Sequence, residues 1–331
     1  MRQQGGSTAS ALWHVAPGLC ELREERLRVP GEGEVLVRVI ASGVSRGTER
    51  LVHHGRVPPS QHQLMRCPMQ EGELSFPVKY GYAVVGLVEE GPAEWIGRRV
   101  FVLHPHQARF VAPVAMCATI PDAIPDRRAV LAANMETALN VMWDAGPRLG
   151  ERAMVIGAGV VGLLCGFLLA RIPGVQVSVV DRDPARAMLA RSLGSAFHAP
   201  AAAPAGQELI VHASASEAGL RLALDRAGFE GRILEASWFG DAEPSLPLGA
   251  GFHQKRLQII STQVGSVSPA MRGRRAYADR MALALSLLDD PRLDALVGPA
   301  VPFAELPSSM SSLLDPPPGA PQPLCPIILY D

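Results

Sequence analysis

The chain has 331 residues, of which 48% are hydrophobic and 19% charged. This length exceeds that of one ordinary domain and suits two, and the composition is that of a globular protein. Lys and Arg number 31 against 32 Asp and Glu, a formal net charge of −1. The charge therefore gives no reason to expect nucleic acid or an anionic membrane as a partner.

The five cysteines are scattered and form no CxxC pair, which disfavours a disulfide framework or a cysteine-rich zinc lobe. Residues 1–10 are polar and lack the apolar core of a signal peptide, so the expected location is cytoplasmic. The uncharged stretch Ala153–Ala170 has the length of a membrane span. Its four glycines instead favour a strand, a glycine turn and a buried helix.

The first third of the chain has the pattern of a β-rich domain. Short apolar runs bounded by Gly and Pro predict strands; these runs are Glu34–Val39, Ala83–Val88, Arg99–Leu103 and Arg109–Ala112. The polar, proline-rich segment 53–77 predicts loops, with room for one short helix.

The pattern changes near Asp126, where residues 128–143 have helical spacing of apolar side chains. Strands then alternate with helices, in the order Ala153–Ile156, Val161–Ala170, Val175–Val180, Pro184–Leu193, Glu208–Ala213, Ala218–Ala227 and Arg232–Ala236. This alternation predicts an α/β fold with a doubly wound parallel sheet. A last long helix is predicted within 271–288, and the apolar run 326–330 predicts a strand that returns to the first domain.

A glycine-rich turn lies between the strand 153–156 and the helix that follows it. Its residues are Gly157, Ala158, Gly159, Val160, Val161 and Gly162. In a dinucleotide-binding turn the first glycine permits the tight bend, the second lets the backbone approach the pyrophosphate, and the third lets the helix pack on the strand. The helix N-terminus then offers free N–H groups to the phosphates.

A second strand ends at Asp181, in the position of the acidic residue that binds the adenosine ribose. A carboxylate there would hydrogen-bond the ribose diol and repel a 2′-phosphate, which favours NAD over NADP. The adjacent Arg182 can pair with such a phosphate and keeps NADP open as the less favoured cofactor.

At this point the chain resembles the medium-chain dehydrogenase/reductase family, which includes alcohol dehydrogenases and quinone reductases. The segments Gly31–Val37 and Ala41–Val44 are similar to its opening strands, and the glycine turn matches its cofactor site. The resemblance implies a GroES-like β-rich catalytic domain at 1–125, completed by 292–331, and a Rossmann NAD-binding domain at 126–291. It also implies that Thr137 contacts the nicotinamide. Ser214 is assigned to the cofactor site, and a homodimer acting on a small-molecule substrate is expected.

The zinc ligands of that family do not carry over. Ser45 stands in place of a ligand cysteine, Gly81-Tyr82-Ala83 in place of Gly-His-Glu, and Ala133 at the third position. Zinc prefers thiolate, imidazole or carboxylate ligands, so no zinc and no other metal is expected. The string 45–49, Ser-Arg-Gly-Thr-Glu, resembles a zinc-less subgroup that includes the dehydrogenase of bacteriochlorophyllide biosynthesis.

Without zinc, a ketone oxygen has to be polarised by hydrogen bonds or an acid. Candidates are Ser45, Thr48 and Glu49, expected on a loop that faces the nicotinamide, and Tyr82. The alternatives are that Glu49 pairs with Arg46 or Arg50 and that Tyr82 only fills volume. The further catalytic candidates are His104 and His106, which alternate in an extended segment and so point the same way, as binding a metal or shuttling a proton would require. A solvated loop is the alternative, and it is favoured over a metal site because no third ligand is near in the sequence.

These residues favour an NAD-dependent, zinc-independent oxidoreductase that transfers hydride between nicotinamide and an alcohol or ketone. Two alternatives stay open at this point. One is a quinone or enoyl reductase of the same fold, in which hydride goes to a conjugated carbon. The other is a non-catalytic NAD-binding protein, because fold alone does not fix function.

Overall fold

A computed structural model describes residues 8–317 and 319–331. The chain divides into two compact units. Unit 1 contains the described residues up to Ala133, together with Leu285–Asp289 and Leu296–Asp331; unit 2 contains Asn134–Ala284 and Asp290–Ala295. Residues 126–133, which the sequence division assigns to the Rossmann domain, therefore belong to unit 1.

The elements up to residue 145 are β1 (Thr8–Ala16), β2 (Leu19–Arg26), β3 (Glu34–Gly43), α1 (Arg46–His53), β4 (Glu71–Gly72), β5 (Val78–Lys79), β6 (Val84–Glu90), β7 (Arg99–Val102), β8 (Arg109–Pro113), β9 (Ala118–Thr119), α2 (Asp126–Ala129) and α3 (Ala132–Ala145). They continue with β10 (Arg152–Ile156), α4 (Val160–Leu169), β11 (Gln176–Val180), α5 (Ala187–Ser192), β12 (Ala196–His198), β13 (Gln207–His212), α6 (Glu217–Arg226), β14 (Ala227–Glu235) and β15 (Gln258–Ser261). The last elements are α7 (Tyr277–Ser286), β16 (Val297–Pro302), α8 (Leu306–Leu314) and β17 (Cys325–Leu329).

The described part of unit 1 contains two sheets. The larger has the order β16-β17-β3-β6-β7-β9, with β8 also paired to β3, and the smaller has the order β2-β1-β5-β4. Strand β17 pairs antiparallel with the end of β3, Ile328 opposite Ser42, which confirms the prediction that the C-terminal run returns to the first domain. Valines that alternate along β3, β6 and β7 form the core of this sheet.

The sheet of unit 2 is parallel throughout and has the order β12-β11-β10-β13-β14-β15. This is the strand order 3-2-1-4-5-6 of a doubly wound dinucleotide fold, so the predicted α/β fold class is confirmed. Met154 and Ile156 of β10 pack in one core with Leu220 and Leu224 of α6. Residues of β10 that alternate with these meet α4, so helices cover both faces.

The structure differs from the sequence prediction at two helices. The predicted helix 128–143 is divided between two helices, α2 and α3, and the helix predicted within 271–288 is present as the shorter α7. Helix α7 begins late because the Asp279 carboxylate accepts a hydrogen bond from the Ala276 N–H at 2.8 Å and so caps its first turn. Among the described residues, no helix is long and apolar enough to cross a bilayer.

A buried arginine attaches α7 to the rest of unit 2. The Arg280 guanidinium donates to the Glu136 carboxylate at 3.0 Å, to the Asn140 side chain at 2.7 Å and to the Val264 carbonyl at 2.6 Å. Burial raises the pKa of Glu136, and the Arg280 charge opposes that shift. Because each buried charge has a partner, this cluster fixes the position of α7 without leaving an isolated charge.

Candidate active site and cofactor turn

The buried carboxylate of Glu49 is the centre of a polar group in unit 1. Glu49 lies in the first turn of α1, whereas the sequence placed it and Thr48 on a loop. Its Oε1 accepts a hydrogen bond from the Ser45 backbone N–H at 2.7 Å. Glu49 is 1% exposed, so both of its oxygens require partners inside the protein.

His106 is the partner of the other carboxylate oxygen, with its Nε2 3.0 Å from Glu49 Oε2. It lies in the segment between β7 and β8 and is fully buried. The Ser42 hydroxyl is 2.7 Å from His106 Nδ1, and the Tyr330 hydroxyl is 2.9 Å from Ser42 Oγ. When Nε2 carries the proton and donates to Glu49, Nδ1 accepts from Ser42 and Ser42 accepts from Tyr330.

These four side chains form one hydrogen-bonded chain. Tyr330 is partly exposed as a residue, whereas Ser42, His106 and Glu49 are buried. Each hydroxyl and the imidazole can both accept and donate a proton. The arrangement can therefore move a proton between the Glu49 carboxylate and the Tyr330 hydroxyl.

Tyr82 lies close enough to this group to be affected by the charge of Glu49. Its hydroxyl forms hydrogen bonds with the side chains of Ser45 and Thr48, and all three residues are partly exposed. Burial, followed by the charge of Glu49, raises the pKa of Tyr82 above its ordinary value. Tyr82 is therefore a neutral hydrogen-bond donor at physiological pH, and its hydroxyl does more than fill volume.

The expectation that Glu49 pairs with a neighbouring arginine was wrong. Arg46 donates to the carbonyls of Pro323 at 2.7 Å and Leu314 at 2.9 Å, and Arg50 lies 3.5 Å from Asp315. Both arginines thus bind the C-terminal segment of unit 1, which leaves the Glu49 carboxylate to His106 and Ser45.

His104 has surroundings different from those of His106. Its ring stacks on Phe110 with centroids 3.6 Å apart, and its Nδ1 lies 2.9 Å from the Pro105 carbonyl oxygen, to which it donates. Burial lowers the pKa of His104 to about 3. His104 is therefore a neutral core side chain and does not lie in a solvated loop. Its hydrogen-bond partner differs from those of His106.

The glycine turn of unit 2 has little room for side chains. A Cβ on Gly162 would lie 1.9 Å from the Gly157 carbonyl oxygen, and a Cβ on Gly157 would lie 2.9 Å from the Ser214 backbone nitrogen. A Cβ on Gly159, in contrast, would meet nothing within 4 Å. Gly159 precedes α4, and no side chain caps its first N–H groups. The turn is thus packed on its inner side and open where a phosphate would approach.

Asp181 closes one side of the turn. Its carboxylate accepts hydrogen bonds from the Ala158 N–H at 2.7 Å and from the Asp183 N–H at 2.8 Å. Arg182 beside it is exposed, and Thr137 is partly exposed on α3. The carboxylate therefore lies at the backbone that an adenosine ribose would reach in a fold of this type.

Ser214, which the sequence assigned to the cofactor site, lies beside Gly157 of the glycine turn. It belongs to a second polar network, at the carboxyl ends of β13 and β14, whose other members the sequence did not indicate. His212 Nδ1 is 2.7 Å from the Glu235 carboxylate, and its Nε2 is 2.8 Å from the Ser214 hydroxyl. Ser214 in turn is 2.8 Å from the Ser216 hydroxyl. The sequence shows Ser214 and Ser216 two residues apart, which was the available signal for this network. It does not show that His212 at the end of β13 meets Glu235 at the end of β14.

Comparison with known proteins gives a distant relative by sequence. No protein-family model matches the chain. An uncharacterized zinc-type alcohol dehydrogenase-like protein of Haemophilus influenzae is 25% identical over 219 residues. The match covers 62% of this chain and spans 60% of the relative's length.

Solved structures match the chain over almost all its length. A protein of Sinorhizobium meliloti described as a zinc-binding dehydrogenase, bound to NADP, has a TM-score of 0.77 at 17% identity and covers 98% of this chain and 99% of its own. An Escherichia coli alcohol dehydrogenase complexed with NADH has a TM-score of 0.77 at 20% identity, with the same coverage. L-idonate 5-dehydrogenase of E. coli has a TM-score of 0.80 at 13% identity, again with that coverage. The chain therefore has the fold of these dehydrogenases.

The environment of His104 makes a prediction about acid stability. His104 titrates near 6.5 in the unfolded chain and near 3 in the folded protein, so between these pH values the unfolded chain binds a proton that the folded protein does not. The free energy of unfolding should therefore fall as the pH drops below about 6.5, by at most about 1.4 kcal/mol per pH unit from this residue. His104→Phe should flatten that dependence.

Urea unfolding of the parent, His104→Phe and the exposed-site control His253→Gln at pH 7, 6 and 5 measures the effect. Parallel pH dependences for the parent and His104→Phe would contradict the assignment of a buried neutral imidazole. The His253→Gln control should follow the parent.

Proposed function

We propose that the protein is an NAD-dependent oxidoreductase that transfers hydride between the nicotinamide and an alcohol or ketone, without zinc in the reaction. One observation carries the proposal. The hydroxyl of Tyr82, a partly exposed residue, is held by Ser45 and Thr48 and lies beside the buried Glu49–His106 pair. This is the kind of acid–base group that carbonyl reduction requires in place of a metal.

The chemistry follows from where charge develops. As hydride reaches a carbonyl carbon, the oxygen becomes negative, and a preorganised O–H donor stabilises it. Tyr82 is that donor, because its raised pKa keeps it protonated. Ser45 links the two halves of the site, since its side chain bonds Tyr82 and its backbone N–H bonds Glu49.

Protons reach or leave the site through the buried chain. In the direction of alcohol oxidation, the hydride goes to the cofactor and the hydroxyl proton is taken up by the Glu49 carboxylate, while Tyr82 stays neutral and donates a hydrogen bond to the substrate oxygen. The proton then passes from Glu49 through His106 and Ser42 toward Tyr330. In the direction of reduction it moves the opposite way. Tyr82 contacts the substrate in this scheme, whereas His106 and Ser42 act through Glu49.

The cofactor assignment is supported by the fit of the glycine turn. Bound NAD(H) supplies or accepts the hydride. Gly157–Gly162 would hold the pyrophosphate, and Asp181 would hold the adenosine ribose. NADP is bound by the S. meliloti protein and NADH by the E. coli alcohol dehydrogenase, which supports a nicotinamide cofactor here. The Asp181 carboxylate favours NAD.

The names of two similar proteins refer to zinc, but the donor set at the corresponding positions does not fit that metal. Ser45 and Tyr82 offer neutral hydroxyls that bond each other, and Ala133 offers no ligand atom. Zinc prefers thiolate, imidazole or carboxylate. Glu49 and His106, the strong donors nearby, bind each other. We therefore derive no step through zinc.

The role of the acid–base group is tested by Glu49→Gln and Tyr82→Phe. Each should lower kcat by about 10²–10⁴, the usual loss for a positioned acid or base, with little change in NAD affinity, because neither residue belongs to the glycine turn. Steady-state kinetics with a substrate from a panel of alcohols and ketones gives kcat, and fluorescence titration gives the affinity.

Matched controls are Tyr80→Phe and Glu89→Gln. Tyr80 lies edge-on to Tyr82 with ring centroids 6.1 Å apart, but its hydroxyl bonds Cys67; Glu89 pairs with Arg38 and Arg109. Both controls should keep kcat near that of the parent. Full activity of both Glu49→Gln and Tyr82→Phe would reject the proposed site.

The cofactor preference is tested at Asp181. The parent should bind NADH at least ten times more tightly than NADPH if one charge repulsion of about 1.4 kcal/mol applies. Asp181→Asn should bring the affinities for NADH and NADPH closer together. The control Asp183→Asn should not, because the Asp183 carboxylate caps the Ala185 N–H in a neighbouring turn. Equal affinities of the parent for NADH and NADPH would show that Asp181 does not select the cofactor.

A further inference from the structure

A cluster of two histidines and a cysteine lies in unit 1 outside the Tyr82–Glu49 site. His14 on β1 and Cys20 on β2 face each other directly across the hairpin register, and His53 is the last residue of α1. One ligand atom from each of the three lies within 4.8 Å of the others. All three side chains are buried.

The hydrogen bonding of the two imidazoles is incomplete. His14 Nδ1 lies 3.1 Å from His53 Nδ1, and His53 Nε2 lies 2.9 Å from the Ser311 hydroxyl. His14 Nε2 is buried and has no hydrogen-bond partner. In a hydrogen bond between the two Nδ1 atoms one ring donates and the other accepts, so His14 Nε2 is the atom left unsatisfied. A buried nitrogen without a partner is destabilising.

Both imidazoles are held in the neutral form that ligates metals. Burial, then the nearby His53 and His106, lowers the pKa of His14 to about 3. Burial also lowers the pKa of His53. The contact between His53 and Ser311 resembles the outer hydrogen bond that orients metal-binding histidines.

We propose that His14, Cys20 and His53 form a binding site for a divalent cation of the zinc type, at residues that the sequence expectation of no metal did not consider. Imidazole nitrogen and thiolate sulfur are the ligands this class prefers. Tetrahedral bonds of 2.0–2.1 Å to nitrogen and 2.3 Å to sulfur place two nitrogens about 3.4 Å apart and nitrogen and sulfur about 3.6 Å apart. The 3.1 Å between the Nδ1 atoms is close to the first of these values, and the sulfur lies within 4.8 Å of a nitrogen of each histidine.

Binding exchanges a proton for the cation. The Cys20 thiol loses its proton to solvent as sulfur bonds the metal, so the site gains one M²⁺ and releases one H⁺. Because a proton is released, affinity should increase with pH. No oxidation or reduction takes place.

The cation would connect α1 to the β1–β2 hairpin. His53 follows Glu49 by four residues, one helical turn along the same face of α1. The site thus fixes the end of the helix whose first turn carries the carboxylate of the proposed reaction. It is a structural site and takes no part in hydride transfer.

Cobalt titration tests the site in the full-length protein. The chelated, reduced protein is titrated with Co²⁺, which produces a thiolate-to-cobalt absorption in the near ultraviolet when a cysteine ligates it. We expect this band to saturate at one Co²⁺ per chain and to disappear when Zn²⁺ displaces the cobalt. Cys20→Ser should abolish the band, and His53→Asn should weaken Co²⁺ affinity at least tenfold.

The controls are matched to the chemistry of each ligand. Cys117 is also buried, with its sulfur 3.6 Å from a carbonyl oxygen as in Cys20, so Cys117→Ser should keep the band. His54 bonds Asp315, so His54→Asn is the matched control for His53→Asn and should keep the Co²⁺ affinity of the parent. Absence of the band in the unmodified protein would overturn the site, as would a band unchanged in both Cys20→Ser and His53→Asn. These readouts need no substrate and are independent of the proposed activity.

Discussion

The buried carboxylate of Glu49 is the constraint on which the site in unit 1 depends. A carboxylate removed from water has to be paired, and loss of one partner of such a pair typically costs about 3–5 kcal/mol. His106 and the Ser45 N–H supply the partners. Because His106 also bonds Ser42, and Ser42 bonds Tyr330, the network connects this pair to the residue that directly follows β17. The C-terminal strand is thus part of the site as well as of the sheet.

Unit 2 meets a different constraint, which concerns the backbone rather than charge. Gly162 and Gly157 leave no space for a Cβ, while the side of Gly159 is open. The cofactor turn therefore depends on glycine positions that have no side chain. The acid–base group depends on particular side chains that bond one another. The proposed function combines the two, with Asp181 selecting the cofactor and Tyr82 contacting the substrate.

The fold of unit 2 could be predicted from the sequence because each strand and helix is a local pattern and the glycine turn marks the first crossover. Most of the site in unit 1 could not be predicted from the sequence. His106 meets Glu49 across 57 positions, and no local pattern encodes that contact. The prediction that His104 and His106 are equivalent candidates was wrong, because alternation along an extended segment does not determine what each ring contacts. His104 stacks on Phe110, whereas His106 bonds Glu49.

The β1–β2 hairpin and α8 were missed in the sequence, and with them the cluster of His14, Cys20 and His53. The homodimer and the cytoplasmic location stay predictions.

The central claim is that hydride transfer relies on the Tyr82–Glu49 group and needs no metal. The most direct measurement is the single-turnover rate of NADH oxidation with a ketone substrate, in chelated protein and in the same protein after addition of one equivalent of Zn²⁺. The account predicts equal rates at temperatures where both forms are folded. Hydride transfer that stops on chelation and returns only with zinc would contradict it.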